Sequence, residues 1–355
     1  MKIGIVREIK PLEGRVALIP AAAGELVAAG HHVFVEHNAG LLSGYSDVEY
    51  QAVGVTVLEN AESVYQQAVL IIKVKEPIAG DLAFLTDRHI LFSFLHLAAE
   101  PDLMRQLQSI GLTAIAFETV TDATGRLPLL APMSDIAGRL ATQIGANLLH
   151  QPHGGKGLLL GGLPAAERGH VVILGGGIAG GGAATLAAAL GAEVVVFDKA
   201  RERLAQMRTL GDNVTALYPF PEQIEREVVK ADLLIGAVLV AGERAPHLVT
   251  AKQIEMMSAG GVVVDIAVDQ GGCIETTHPT TYLAPTYRVG EINHFAVTNM
   301  PGAVPRTASQ ALSAALIPYV LALAGPGWQQ HPGLSDGVNV QAGRVCHPAL
   351  QQYMT

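Results

Sequence analysis

Three side chains suited to acid–base or anion chemistry follow strand-like apolar runs in the first third of the chain. His96 ends the run "ILFSFLH", Lys75 ends "LIIKVK", and Arg15 follows "KIGIV" shortly before a helix that Pro20 begins. An imidazole titrates near neutral pH, and two cations suit the binding of a carboxylate. A lone histidine in an apolar run is nevertheless more often a buried structural residue, and Lys73 shares the strand face of Lys75. The sequence therefore does not choose between the two lysines.

A glycine motif with the spacing GxGxxG lies in the middle of the chain, at Gly175, Gly177 and Gly180. A strand-like run precedes it, an alanine-rich helical segment follows it, and Asp198 ends the next strand-like run. In this context the motif predicts a dinucleotide site, with the phosphates at the helix N-terminus and the carboxylate on the adenosine ribose. A carboxylate there repels a 2′-phosphate, which favours NAD over NADP. Arg203 is either a cofactor contact or a solvated helix residue.

Two carboxylates and two histidines in the second half of the chain are further candidates. Asp269 comes directly after a buried run and is predicted to face the ligand crevice. Asp265 lies inside that run and is more typical of a structural residue. His278 and His294 are also more typical of structural residues.

The chain alternates short strands and helices, which predicts an α/β fold of two Rossmann-like, doubly wound parallel-sheet domains with a cleft between them. The predicted domains are a discontinuous substrate domain, 1–130 plus 305–355, and an NAD-binding Rossmann domain, 131–304. The predicted strands lie at 2–6, 32–36, 69–77, 89–95, 112–118, 170–174, 193–197, 213–217, 232–236 and 261–265.

The remaining segments connect or close these domains. A helix over 134–152 is predicted to link them, Pro305 to begin the last long helix, and the chain after Gly325 to be loosely structured until its end. The apolar stretch 311–325 is shorter than the roughly 20 residues that span a bilayer and is predicted to be a buried helix. No secretory signal pattern is present at the N-terminus.

Composition limits the classes of function. The 355 residues carry a net charge of −9, which disfavours a nucleic acid partner. Two cysteines without a metal-binding or disulfide spacing suit a reducing compartment, so a cytoplasmic protein is expected, with no metal site and no membrane partner.

Several long stretches, in order from residue 4 to about 312, resemble the alanine dehydrogenase/nicotinamide nucleotide transhydrogenase family. They are "GIVREIKPLEGRVALIP", "IIKVKEP", "LHLAAEPDL", "LPLLAPMSDIAGRLA", "VILGGGIAG", "ADLLIGAVLVAGERAPHLVT", "VVVDIAVDQGGCIETTHPTT" and "VTNMPGAVPRTASQAL". The resemblance implies Arg15 and Lys75 as substrate ligands and His96 with Asp269 as the catalytic pair. Beyond the three motif glycines, it implies NAD contacts from Ser134, Ile178, Ala179, Asp198, Arg203, Leu239, Ile266, Ala267, Val268, Asp269, Asn299, Met300, Pro301 and Gly302.

The reaction that this resemblance implies is reversible oxidative deamination of L-alanine to pyruvate and ammonium, with hydride transfer to NAD, in a homohexamer. Two alternatives stay open: a lysine- or saccharopine-type dehydrogenase and a catalytically silent NAD-binding regulator. A third, the NAD-binding component of a transhydrogenase, resembles this chain but lacks the counterparts of His96 and Asp269, which are both present here. The sequence departs from the family pattern at Phe94, often a tyrosine, at Gly181–Gly182, usually larger and polar, and at Pro219, typically a serine.

Overall fold

The computed structural model describes residues 1–238, 246–268 and 271–353. The chain forms two compact units, which are described separately. Unit 1 comprises Met1–Met133 with Gly302–Thr355, and unit 2 comprises Ser134–Pro301. The helix that begins at Ala131 runs across the division between them.

Unit 1 is an eight-stranded sheet with the order β15-β14-β6-β5-β4-β1-β2-β3. Its elements are β1 (Lys2–Ile5), α1 (Pro20–Ala28), β2 (His32–Glu36), α2 (Asp47–Ala52), β3 (Thr56–Leu58), α3 (Ala61–Gln67), β4 (Leu70–Ile72), α4 (Ala79–Leu82), β5 (Ile90–Ser93), α5 (Pro101–Ile110), β6 (Thr113–Ala116), α11 (Pro305–Ala324), α12 (Pro332–Asp336), β14 (Val338–Gln341) and β15 (Arg344–Val345). The strands from β6 to β3 pair in parallel, and β14 and β15 add an antiparallel edge.

Unit 2 is a seven-stranded sheet with the order β12-β13-β11-β10-β7-β8-β9. Its elements are α6 (Ala131–Leu148), β7 (His170–Leu174), α7 (Ile178–Ala189), β8 (Glu193–Phe197), α8 (Arg201–Arg208), β9 (Val214–Leu217), α9 (Pro221–Lys230), β10 (Leu233–Gly236), α10 (Ala251–Glu255), β11 (Val262–Asp265), β12 (Thr286–Val289) and β13 (Ile292–Phe295). Among the described strands of this sheet, β12 pairs antiparallel with β13, and all other pairs are parallel. The predicted fold class of two parallel-sheet α/β domains is confirmed.

Local sequence signals account for many element ends. Proline lies in the first turn of α1, α5, α9 and α11, where its missing N–H removes no helical hydrogen bond. Ser46 and Glu49 form a reciprocal cap at the start of α2. The inner strands consist almost entirely of buried aliphatic residues, as expected for strands covered on both faces.

Two predictions about elements are wrong in detail. The strand predicted over 69–77 ends at Ile72, because the Val74 N–H donates to the buried Glu8 carboxylate. The chain after Gly325 is not loosely structured, because α12 and the β14–β15 hairpin extend the sheet beside β6. Val340 and Val345 of that hairpin belong to the core of unit 1, which explains why this polar segment folds.

The helix α11 is long and apolar enough to cross a membrane, but one of its faces packs within unit 1 and the rest is partly or fully exposed. The hydroxyls of Ser309 and Ser313 accept the N–H groups of Val16 and Ile19, each at 2.9 Å. Its buried face contains Leu312, Leu316, Val320 and Leu323. These contacts tie the C-terminal part of the chain to the segment that precedes α1.

Candidate functional site

Three predicted site residues of unit 1 follow the carboxyl ends of adjacent parallel strands. Strands β5, β4 and β1 are neighbours in the sheet, with Phe92 opposite Ile72 and Ile72 opposite Ile5. His96 follows β5, Lys75 follows β4 and Arg15 follows β1. The sheet order therefore brings the three chain segments to one edge, which is where parallel α/β sheets place their ligands.

Arg15 is held by a neighbouring carboxylate. Its side chain is 3% exposed, with Nε 2.7 Å from Oε1 and Nη2 2.6 Å from Oε2 of Glu13. Its Nη1 lies 3.2 Å from Sδ of Met133. A fork-to-fork pair of this kind fixes the plane of the guanidinium. Glu13 could not be recognised from the sequence, because a carboxylate two residues before an arginine is too common a pattern.

The structure separates the two lysines that the sequence could not. The Lys73 side chain is 1% exposed, and its ammonium lies 2.9 Å from Asp81 and 3.3 Å from Glu8. The Lys75 side chain is 16% exposed, with its ammonium 3.5 Å from Glu76. A buried lysine between two carboxylates is a structural group, so Lys75 is the one of these two lysines that a ligand can reach.

Glu8 is a second residue that the sequence analysis missed. Its Oε1 accepts the Val74 N–H at 2.5 Å, and its Oε2 accepts the Lys75 N–H at 3.4 Å. Burial raises the pKa of Glu8, and the positive charge of Lys73 opposes that rise. The carboxylate replaces a strand partner for the segment that carries Lys75.

His96 is partly exposed at the end of the β5 segment, beyond the buried residue Leu95. The Phe94 ring lies parallel to the imidazole, with 5.8 Å between centroids and 3° between planes. Phe94 is 4% exposed and also meets the edge of Phe117 at 5.1 Å. Phe94, at a position often held by tyrosine in the family, thus keeps the ring contact with His96 and lacks only the tyrosine hydroxyl.

In unit 2 the glycine motif forms the turn between β7 and α7. Gly175 has a φ of +98°, and a Cβ there would lie 2.7 Å from the Ala237 carbonyl oxygen. A Cβ on Gly180 would lie 1.7 Å from the Gly175 carbonyl oxygen. A Cβ on Gly177, in contrast, would meet nothing closer than an Arg203 nitrogen at 3.9 Å. The turn is therefore tightly packed at Gly175 and Gly180 and leaves space at Gly177, next to the N-terminus of the 12-residue helix α7. A pyrophosphate bound at this helix N-terminus requires such space.

Asp198 follows β8 and fastens this turn. Its Oδ2 accepts the Gly176 N–H at 2.8 Å, and its Oδ1 accepts the Ala200 N–H at 2.7 Å. Arg203 lies 3.5 Å from Oδ2, and its side chain is 55% exposed. At the first turn of α7, Ile178 is 53% exposed and Ala179 is partly buried.

The other predicted cofactor residues of the described chain fall at segment ends in unit 2 or at its boundary. Ser134 lies in the first turns of α6, Ile266 to Val268 follow β11, and Met300 to Gly302 lie in a short 3-10 helix after Asn299. Ala267 and Val268 are buried, whereas Ile266 is partly exposed. Leu239 and Asp269 lie outside the described residues.

Asp265 holds the backbone before and after the Asp269 segment. It is fully buried, and its carboxylate accepts the N–H groups of Ala267 and Cys273 and the Thr277 hydroxyl at 2.6 Å. Because β11, β10 and β7 are adjacent parallel strands, residues 266–268, which follow β11, lie at the same end of the sheet as the glycine turn.

The two other histidine candidates have packing contacts. His294 is fully buried, bonded to the Thr276 hydroxyl at 2.8 Å and to the Ile292 carbonyl at 3.2 Å. Burial lowers the pKa of His294 to about 4, so it is neutral at physiological pH. His278 stacks against Tyr287 with 3.8 Å between ring centroids. Among the described residues, no group of three or more potential ligands is placed to hold a metal.

Close helix packing accounts for one of the sequence departures. A Cβ on Gly182 would lie 2.5 Å from the Asp135 carboxylate of α6, and one on Gly138 would lie 1.9 Å from the Ala179 carbonyl oxygen of α7. The Thr142 hydroxyl donates to the Ala183 carbonyl at 3.0 Å. A larger residue at position 182 is thus incompatible with this distance between α6 and α7. Pro219 lies between the exposed Tyr218 and Phe220, whose rings are 4.8 Å apart.

Comparison with known proteins gives consistent matches along the whole chain. The family models described as alanine dehydrogenase/PNT, N-terminal domain and C-terminal domain, match residues 4–137 and 141–348. Alanine dehydrogenase from Halomonas elongata is 45% identical over 360 residues, covering 99% of this chain and 96% of that protein. Alanine dehydrogenase from Methanococcus maripaludis is 45% identical over 356 residues, covering 99% and 95%.

Two solved structures extend the comparison to three dimensions. An L-alanine dehydrogenase is 49% identical and superposes with a TM-score of 0.96, covering 99% of both chains. A transhydrogenase from Sinorhizobium meliloti is 25% identical and has a TM-score of 0.86, covering 98% of this chain and 100% of that chain.

Proposed function

Because the chain belongs to the alanine dehydrogenase/PNT family, we propose that it catalyses the NAD-dependent, reversible oxidative deamination of L-alanine. The balanced reaction is L-alanine, NAD⁺ and water to pyruvate, ammonium, NADH and a proton. The observation that carries this proposal is the identity of 44–46% to alanine dehydrogenases over almost the full length of both chains. The similarity to a transhydrogenase is weaker, at 25% identity.

The proposed substrate residues follow adjacent strands at the carboxyl end of the unit 1 sheet, which supports their assignment to one site. Arg15 and Lys75 bind the carboxylate of alanine or pyruvate, and Glu13 and Glu8 orient these two residues through the contacts described above. His96 exchanges a proton with the oxygen of the carbinolamine that water forms with the imine. Asp269 acts with His96 and interacts with the amine or the water.

The glycine turn of unit 2 fits a dinucleotide, because Gly177 leaves open space in front of the N-terminus of α7. NAD supplies the hydride acceptor for the reaction. Asp198 binds the adenosine ribose, and Arg203 lies beside it. The other cofactor contacts that we propose come from Ser134, Ile178, Ala179, Leu239 and the segments 266–269 and 299–302.

The test is NADH oxidation by the purified protein with ammonium and a panel of 2-oxo acids. We expect the highest kcat/KM with pyruvate, and a tenfold or greater loss as the side chain lengthens by two or more methylene groups, at about 1–3 kcal/mol for each methylene. Preference for 2-oxoglutarate or another large acid would favour a different amino-acid dehydrogenase. Absence of turnover with retained NADH binding would favour a silent regulator.

The role of His96 needs its own variant. His96→Ala should lower kcat by about 100-fold or more, the contribution typical of a general acid–base group, while NADH binding is unchanged. Wild-type turnover in this variant would contradict the acid–base role of His96. The substrate assignment would still be tested by the panel of 2-oxo acids.

The proposed assembly is a homohexamer, and the proposed compartment is the cytoplasm. The family resemblance supports the first, and the two cysteines without disulfide spacing support the second.

A further inference from the structure

His96 has an unusual backbone conformation for its residue type. Its φ is +50°, in the left-handed region, and its carbonyl oxygen accepts the Ala99 N–H at 2.9 Å in a tight turn. A residue with a Cβ pays about 1–2 kcal/mol to adopt this conformation. The surrounding structure must therefore stabilise the turn that carries the imidazole.

The stabilising group is the carboxylate of Glu118. Its Oε1 accepts the His96 N–H at 2.6 Å, and both of its oxygens lie 3.2 Å from the Leu95 N–H. Hydrogen bonds to an ionised acceptor are short and stronger than neutral ones, so these contacts offset much of the backbone cost. One side chain thus satisfies two consecutive N–H groups at the end of the strand segment.

The sheet explains why Glu118 is placed to do this. Strands β5 and β6 are parallel neighbours, paired as far as Ser93 opposite Ala116. After Ala116 the chain turns into a short 3-10 helix, Phe117–Thr119, and no longer supplies backbone acceptors to the segment that carries His96. The carboxylate of Glu118, from within that helix, takes the place of the missing strand partner.

Aromatic packing fixes the same two segments to one another. Phe94 stacks parallel to the imidazole of His96, and its edge contact with Phe117 joins it to the residue before Glu118. Phe94 therefore restricts the orientation of the His96 ring, and Glu118 stabilises the backbone conformation of His96.

We propose that Glu118 is a positioning residue for the reaction, which holds the His96 backbone in the left-handed conformation that directs the imidazole to the substrate. This inference rests on the proposed function, because it assigns a purpose to the geometry of His96. It requires no contact between Glu118 and the substrate.

The test compares Glu118→Ala, Glu118→Gln, Thr119→Val and His96→Ala in the full-length protein, with pyruvate, ammonium and NADH. Thr119 is the matched control, because it lies beside Glu118 in the same 3-10 helix. Its hydroxyl bonds to Ala116, Gly337 and Asn339 and not to His96. NADH binding and thermal unfolding are measured for each variant.

We expect Glu118→Ala to lower kcat by about 10- to 100-fold, the effect of misplacing a catalytic group by roughly 1 Å, with the KM for pyruvate and the Kd for NADH changed less than about threefold. Glu118→Gln keeps one acceptor oxygen and should recover part of that loss. Thr119→Val should lower the unfolding temperature and retain kcat.

Two results would overturn the inference: wild-type kcat in Glu118→Ala, or an equal loss of kcat in Thr119→Val. The His96→Ala variant separates this failure from that of the proposed function. If His96→Ala is inactive while Glu118→Ala is fully active, only the positioning role is wrong. If His96→Ala is itself fully active, the proposed role of His96 is wrong, and the purpose assigned to Glu118 with it.

Discussion

Asp198 combines two tasks that a substitution can separate. Its carboxylate fastens the glycine turn through Gly176 and Ala200, and its charge would repel the 2′-phosphate of NADP. Asp198→Ala removes both the carboxylate that fastens the turn and its charge. Hydrogen bonds to a charged group contribute about 1.5–3 kcal/mol. We therefore expect the Kd for NADH to rise about 10- to 100-fold. Binding is measured by fluorescence titration with NADH and NADPH.

Asp198→Asn serves as the control, because the amide keeps one acceptor oxygen for the turn and loses the charge. We expect it to bind NADH more tightly than Asp198→Ala does and to discriminate less against NADPH than the wild type. An unchanged ratio of NADH to NADPH affinity in both variants would contradict the charge-based preference for NAD.

Residue identity was easier to infer from the sequence than the partners of each residue. The positions of Lys75 and His96 after strands could be predicted, since strand ends are visible as apolar runs. The sequence could not separate Lys73 from Lys75, because the distinguishing contacts come from Glu8, 65 residues from Lys73, and from Asp81. Glu118 ends the predicted strand 112–118, but its role could not be inferred, because its partners are the N–H groups of Leu95 and His96 on a neighbouring segment.

At the scale of elements, the close contact of α6 with α7 positions the helix at whose N-terminus the cofactor is proposed to bind. A Cβ on Gly138 would lie 1.9 Å from the Ala179 backbone, whereas one on Gly181 would meet only the flexible end of Met207 at 3.5 Å. We therefore expect Gly138→Ala to force the helices apart, lowering the free energy of unfolding by about 1–3 kcal/mol, and to weaken NADH binding.

Gly181→Ala is the matched control and should be neutral or stabilising by up to about 1 kcal/mol, since alanine has the higher helix propensity. Urea unfolding and NADH titration of the two variants measure both effects. Equal stability and equal NADH affinity of Gly138→Ala and wild type would show that this helix contact is not needed for the cofactor site.

Strands with continuous apolar runs were easier to predict than short or mixed ones. The strands 32–36, 170–174 and 193–197 have the predicted bounds, because each is a continuous apolar or β-branched run between turns. Strands β3 and β12 to β15 were missed, because they are short and their apolar residues are few or separated by polar ones. The pairs β12–β13 and β14–β15 are local hairpins, and they join the sheets by pairing with strands distant in sequence, β11 and β6.

For the molecule as a whole, fully and partly buried histidines make stability depend on pH. Burial lowers the pKa values of His31, His89, His294 and His347 in the folded state. Unfolding therefore takes up protons between the folded and unfolded pKa values, and stability is lost as pH falls through that window. The buried carboxyls of Glu8 and Glu36 have raised pKa values and act in the opposite direction.

His294 isolates one part of this dependence, because its pKa falls from 6.5 unfolded to about 4 folded. Its contribution to stability is complete above pH 6.5 and decreases by about 3 kcal/mol as pH falls to 4. His294→Gln removes the titrating ring, so the free energy of unfolding of this variant should fall less steeply than that of the wild type between pH 6.5 and 4. Urea unfolding of the two proteins at several pH values measures the slopes, and identical slopes would contradict a neutral, buried His294.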